Sequence, residues 1–402
     1  MDDMKKKNVG STSIDYAKLS LEMHAKNHGK ISVISKVPVK NRYDLSIAYT
    51  PGVAEPCMHI AKNKCDVYKY TSKGNLIAVI TDGTAVLGLG DIGPLASLPV
   101  MEGKAILFKE FAGIDAIPIA IDSKDVEEIV RTVELISPAL GGINLEDISA
   151  PRCFEIEERL KKVLDIPIFH DDQHGTAIVV LAGLINSLKL VNKKFSDIKI
   201  VISGVGAAGI AVARLLLRYG AKNIILVDTK GALYDGRVEH MNDAKIVMAK
   251  ISNPKKEKGS LADVIKKADV FIGVSAPGVL TSYMIESMND KPIVFAMANP
   301  VPEIMPDIAL KSGTFILATG RSDFPNQINN VLAFPGLMKG ALSVRASTVN
   351  DEMKIAAAEA LAGMVENPVQ DKIIPGPFDK DVAKNVTEAV MAAAIKTKVN
   401  RI

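Results

Sequence analysis

Two adjacent carboxylates, Asp171 and Asp172, stand between a short apolar run, Ile166-Pro167-Ile168-Phe169, and a longer one from Ala177 to Ile185. The first run reads as a strand and the second as the start of a buried helix, near Thr176. Acids at the end of a buried strand are costly to desolvate, and a bound cation would offset that cost. Two other readings compete. Either aspartate could cap the next helix. His170 and His174, four apart, have the spacing of a zinc-binding pair on a helix. Pro167 and the strand-like run before it argue that His170 lies outside a helix. The question turns on whether more carboxylates converge here.

They do in the sequence pattern. Gly141 to Ile148 repeats the arrangement: a short apolar run ends in Glu146 and Asp147. Between the two acid pairs, Cys153 to Leu164 can form a helix. Strand, crossover helix, strand is the unit that makes parallel sheets, and parallel neighbours put both pairs at one sheet edge. All-oxygen ligands favour a hard divalent cation, Mg²⁺ or Mn²⁺, over zinc.

Lys104 follows Gly103 and precedes the apolar run Ala105 to Phe108. One lysine on a helix is ordinarily a solvated face. Buried among these apolar neighbours, it would have a lowered pKa and could serve as a base. Tyr49, in Ala48-Tyr49-Thr50-Pro51-Gly52, is by spacing alone a packing aromatic in a turn. Gly88, Gly90 and Gly93 have fingerprint spacing, but Pro94 follows at once and no strand ends in an acid at the expected distance. These glycines read as places where the backbone packs tightly or approaches a ligand.

The second half holds a complete fingerprint. The strand Asp197 to Ser203 feeds Gly204-Val205-Gly206-Ala207-Ala208-Gly209, a helix runs to Gly220, and the strand Asn223 to Val227 ends in Asp228. Glycines there let backbone N–H groups reach a pyrophosphate at a helix N-terminus, and the acid meets the ribose hydroxyls. Two further strands run into Ser275 and Asn299, which places both residues in ligand-binding loops at one sheet edge. Asn330 precedes Phe334-Pro335-Gly336. A buried asparagine either hydrogen-bonds backbone or recognises a carboxylate, and spacing leaves both open.

The scaffold for these groups is legible by the same logic. Ser13 to His28 reads as a helix capped by Ser13, and Lys30 to Val37 alternates like a strand. Leu76 to Ile80 and Ile117 to Asp122 are strands, Asp125 to Ile136 is a helix, and the chain beyond about Leu337 is Ala-rich and helical. With 402 residues and 48% hydrophobic content the chain has ample core for two or three domains. A net charge of +3 argues against nucleic acid or a membrane surface as partner. Three cysteines without metal spacing fit a reducing cytoplasm. The N-terminus has no apolar stretch of a signal peptide, and no apolar run reaches the ~20 residues of a membrane span.

Taken in order, these motifs resemble the short bacterial type of malic enzyme over nearly the whole length. The resemblance rests on Ala48 to Ala54, Thr81 to Gly93, Gly103-Lys104, Leu145-Glu146-Asp147, His170 to Ala177 and the cofactor glycines. It implies an α/β protein: an N-terminal malic-type domain over residues 1–165, and a Rossmann-type doubly wound domain with C-terminal helices over 166–402. It also implies NAD-linked oxidation and decarboxylation of malate to pyruvate and CO₂, or a malolactic conversion to lactate on the same scaffold. Glu146, Asp147 and Asp172 match the metal ligands, Lys104 the base, Asp171 the acid beside that base, and Tyr49 the acid that protonates C3. Asn299 and Asn330 match the asparagines that hold the substrate carboxylates. The resemblance further implies a homodimer. Eukaryotic members carry a substrate arginine where this chain has Ala85. Asp228 would repel the 2′-phosphate of NADP, so NAD is the expected cofactor, with Lys230 close enough to relax the preference.

Overall fold

The computed structural model describes residues 15–86 and 88–402. Its strands form two sheets. The first has the order β2-β1-β3-β4, with β1 at Leu76–Thr81, β2 at Asp115–Ala120, β3 at Gly142–Leu145 and β4 at Ile168–His170. All its pairings are parallel, and Leu145 lies opposite His170. The residues that follow β3 and β4 therefore leave the sheet at the same edge. Every residue of β3 and β4 is buried, as continuous apolar runs require when both sheet faces are covered.

The second sheet has the order β10-β9-β8-β5-β6-β7. Its strands are β5 Lys199–Ser203, β6 Asn223–Asp228, β7 Gly231–Ala232, β8 Val270–Gly273, β9 Ile293–Ala296 and β10 Ile316–Thr319. Only β7 is antiparallel. The order reverses at β5, whose neighbours are β6 and β8, so the switch point where doubly wound sheets bind ligands lies between β5 and β8. Two residues are too short to show a period, which is why β7 escapes a reading of the sequence.

The helix Asp171–Val191 runs straight on from β4. It begins a full turn before the expected Thr176, so Asp171 and Asp172 are its first residues. Carboxylates in a first helical turn are favoured by the exposed N–H groups there. This helix is apolar and long enough to cross a membrane, but 72% of its most apolar window is buried inside the protein. It packs against the helices Ala207–Tyr219 and Asp351–Gly363. One apolar core runs from Ile77 and Phe108 through Val180 and Leu184 to Ile202 and Ile272, so both sheets are tied together through this helix.

The N-terminal part differs from the expectation in two places. Its first helix is Tyr16–Asn27, capped by the Asp15 side chain on Lys18 N–H at 3.0 Å; Ser13 lies outside the described residues. The segment from Lys30 to Val37 joins no sheet, and Val33 is 99% exposed. Alternation alone does not make a strand without a neighbour to complete the ladder. None of the helices Tyr16–Asn27, Arg42–Ala48 and Ala54–Lys62 buries a residue.

Candidate active site

Lys104 sits inside the helix Gly93–Ala112, whose start is fixed by the turn before it. The Gly83 carbonyl accepts from the backbone N–H groups of Ile92 and Gly93, both at 3.1 Å. A side chain on Gly83 would stand 2.2 Å from the Gly93 carbonyl oxygen. Gly83 thus packs tightly against the helix start, whereas Gly90 and Gly93 have nothing within 4 Å of a Cβ position. Lys104 is buried on this helix. Its Nζ lies 2.5 Å from Asp171 Oδ2, 2.9 Å from Glu146 Oε1 and 4.2 Å from the centre of the Phe334 ring. Asn330 Nδ2 donates to the same Asp171 oxygen. Gly175, one turn on, leaves the room Asp171 needs: a Cβ there would meet Asp171 Oδ1 at 2.0 Å.

Glu146, Asp147 and Asp172 converge beside this cluster, each offering a carboxylate oxygen within 4.8 Å of the others. Asp147 holds a left-handed backbone, φ 55°, uncommon for a residue with a side chain. Its N–H donates to Asp172 Oδ2 at 2.8 Å, and its own Oδ2 is buried without a hydrogen-bond partner. Asn144 Nδ2 donates to Glu146 Oε2 at 2.7 Å and aims that carboxylate.

The electrostatics describe a site made for a cation. Burial, together with the charges of Asp172 and Asp171, pushes Glu146 up to about 8. Burial and Glu146 push Asp147 up to about 8, and burial and Asp147 push Asp172 up to about 7. Burial alone would lower Lys104, but Asp171 and Glu146 outweigh it and hold the ammonium above the ordinary lysine value. Three oxygens at one edge, an unpartnered buried carboxylate oxygen and raised carboxyl pKa values fit a hard divalent cation. The histidines do not join them. His174 Nε2 is 2.8 Å from Glu157, in a cavity that none of the three carboxylates lines. His170 Nδ1 comes to 3.8 Å from Asp172 Oδ2 but lies outside the ligand cluster, and its burial lowers it to about 4.

The second sheet supplies a cradle at the end of β5. Gly204 has φ 114° and packs on the Val274 carbonyl, 2.5 Å from where a Cβ would stand. A Cβ on Gly209 would lie 1.9 Å from the Gly204 carbonyl oxygen, so only glycine lets the helix Ala207–Tyr219 approach the strand. Gly206 faces open space, with nothing within 4 Å of its Cβ position. Tight turn, open approach and close helix packing are the three glycine roles at a pyrophosphate, with Ala207 and Ala208 opening the helix. Ser275, past β8, has its N–H on Glu303 Oε1 at 2.9 Å and its hydroxyl 3.0 Å from the Ser203 hydroxyl.

Residues 28–161 match the family of the malic enzyme N-terminal domain, and residues 173–395 that of the malic enzyme NAD binding domain. The chain belongs to the malic enzyme family. It is 60% identical to the bifunctional malic/malolactic enzyme of Bacillus subtilis, over 95% of this chain and 94% of that one. It is 58% identical to the NAD-dependent malic enzyme of Geobacillus stearothermophilus, over 93% of this chain and 78% of that one. The crystal structure of malic enzyme from Pyrococcus horikoshii superposes with a TM-score of 0.93 at 50% identity, covering 96% of this chain and 92% of that one.

Not every residue matched to a malic enzyme role lies in the cluster. Tyr49 is 66% exposed at the end of the helix Arg42–Ala48 and is not among the groups that touch Lys104. Asn299 lies on the loop after β9, where its carbonyl oxygen would be 3.3 Å from a Cβ on Gly88. Three contributors carried no signal in the sequence. Phe334 supports the Lys104 ammonium from a helix far along the chain, and Asn144 is a strand residue that orients a ligand. At the loop that carries Ala85, Arg152 Nη2 lies 2.9 Å from Asp82 and 3.0 Å from the Thr84 hydroxyl.

Proposed function

We propose that this malic enzyme oxidises (S)-malate at C2 with NAD⁺, decarboxylates the resulting keto acid and releases pyruvate. The observation that carries this reading is the contact of a buried lysine with a metal-type carboxylate cluster, in a chain whose second sheet carries a dinucleotide-type glycine cradle. Lys104 accepts the proton of the C2 hydroxyl, and a nicotinamide ring bound at the cradle would supply the hydride acceptor for C2. Asp171 and Asn330 orient that lysine, and Asn330 with Asn299 receives the substrate carboxylates. A divalent ion held by Glu146, Asp147 and Asp172 would supply Lewis-acid stabilisation of the C2 oxygen. After CO₂ is lost, Tyr49 returns a proton to C3 of the enolate. The name of the Bacillus subtilis relative covers malolactic conversion too. Product analysis separates the two: pyruvate with reduced cofactor released supports the first reading, and lactate without net reduction supports the second.

We infer that the working form is a homodimer. The N-terminal helices bury none of their residues, and Tyr16, Leu21, Ile34 and Tyr43 are exposed along with Tyr49. Large apolar side chains left exposed on these segments support an interface with a second copy, and Tyr49 lies among them. Cys57, Cys65 and Cys153 are free thiols, which fits a cytoplasmic enzyme.

Metal dependence is directly testable. Asp172→Asn is expected to weaken Mn²⁺ binding by more than about a hundredfold, because it deletes an anionic ligand and not merely an outer partner. Calorimetric titration with Mn²⁺ reads this. Full activity after exhaustive chelation of the native enzyme sinks the metal assignment.

A further inference from the structure

The ladder between β8 and β9 ends where the Met297 N–H donates to the Gly273 carbonyl at 3.0 Å. Just beyond it the two chains part, at the edge where a doubly wound sheet binds ligands. Ser275 and Ala298 stand there with N–H groups that need an acceptor. Glu303, on the loop after β9, supplies it to both. Its side chain is fully buried. Oε1 accepts from the Ser275 N–H at 2.9 Å and from the Ser275 hydroxyl at 3.4 Å. Oε2 accepts from the Ala298 N–H at 3.0 Å. The Glu303 carbonyl also accepts from the Leu280 N–H at 3.1 Å. Gly273 leaves the room: a Cβ there would stand 2.3 Å from Glu303 Cδ.

This arrangement is costly. The partners of the carboxylate are two backbone N–H groups and one hydroxyl, with no cation among them. Burial raises the carboxyl above its ordinary value, against the pull of these donors. An apolar side chain would fill the space without that penalty. What a carboxylate adds is the ability to fix two N–H groups at once, and with them two loops. Ser275 lies on the loop expected at the cofactor, and Asn299, expected at the substrate, follows Ala298 directly.

We propose that Glu303 is a positioning residue: its carboxylate clamps the loops after β8 and β9 together, and so sets Ser275 and Asn299 for cofactor and malate at once. Glu303 itself touches neither ligand. The inference rests on the roles proposed for Ser275 and Asn299.

Two measurements read the two loops separately: calorimetry with NAD⁺ on the full chain without substrate, and steady-state kinetics with malate at saturating Mn²⁺. In Glu303→Ala both N–H groups lose their acceptor. The Kd for NAD⁺ and the KM for malate are each expected to rise about tenfold or more, within what a small misplacement costs. Glu303→Gln keeps the shape but offers one acceptor oxygen in place of two, so at least one of the two constants should rise. This gentler variant decides the matter if Glu303→Ala does not fold. A residue needed only for folding would lower binding stoichiometry and kcat with the folded fraction, and leave Kd and KM where they are. Either constant unmoved in folded Glu303→Ala, or both unmoved in Glu303→Gln, overturns the proposal. A native chain that neither binds NAD⁺ nor oxidises malate overturns the reading of the site on which it rests.

Discussion

Lys104→Ala is expected to lower kcat for malate oxidation by about three orders of magnitude, within the range that a positioned general base contributes. Among the described residues Lys104 is the one lysine or arginine paired with the carboxylate cluster, and His170 Nδ1 stands 3.8 Å from Asp172. The surroundings of the lysine are specific: Asp171 at 2.5 Å, Glu146 at 2.9 Å and the Phe334 ring beneath it. The two anions keep the ammonium protonated in the metal-free protein. A base must lose its proton, so the site needs something to weaken that grip. A divalent ion shared with Glu146 does so by direct competition for the carboxylate and by its own positive charge.

This coupling sets the sign of the pH dependence. The protonated lysine is inactive as a base, so turnover rises with pH as the proton is lost. More bound metal lowers the lysine pKa and shifts the rising limb to lower pH. Profiles of kcat/KM at limiting and saturating Mn²⁺ check this. A limb that stays fixed, or moves to higher pH as metal is added, contradicts the coupling between Lys104 and the ion. Lys104→Arg is a useful companion: guanidinium keeps the charge but does not deprotonate, so it should be as inactive as Lys104→Ala.

The acid pairs were legible in the sequence because burial makes them conspicuous. Gly142–Leu145 and Ile168–His170 are short, mostly apolar, and joined by one helix. Parallel pairing then brings the acids after each strand to one edge. The same logic exposed Gly204, Gly206 and Gly209, where strand and helix flank the turn. The hidden features depend on contacts between segments distant in sequence. Phe334 and Asn330 reach Lys104 and Asp171 from the far end of the second half, and no periodicity records that. Arg237 and Lys245 reach Asp228 from a turn and the next helix. The run from Lys30 to Val37 misled for the opposite reason: it alternates like a strand yet has no ladder partner among the described residues.

Tyr49→Phe is expected to slow solvent exchange of the pyruvate methyl protons by about a hundredfold or more, because the phenol is the group assigned to C3. The assay uses pyruvate, reduced cofactor and metal, so it bypasses malate oxidation. Lys104→Ala should retain much more of this exchange; the reverse pattern would exchange the two roles. Exposure of Tyr49 adds a question that exchange alone does not answer, which is whose site it serves. Co-production of Lys104→Ala and Tyr49→Phe chains separates the cases. If Tyr49 acts across the dimer, each mixed dimer holds one intact site and one doubly damaged site. Random pairing makes about half the dimers mixed, so pyruvate formation should recover to about a quarter of the native value. If each site uses its own tyrosine, every site in the mixed dimer carries one lesion and nothing is recovered. The exposed apolar surface around Tyr49 favours the first outcome, and a mixture no more active than its parents would place the tyrosine with the lysine of its own chain.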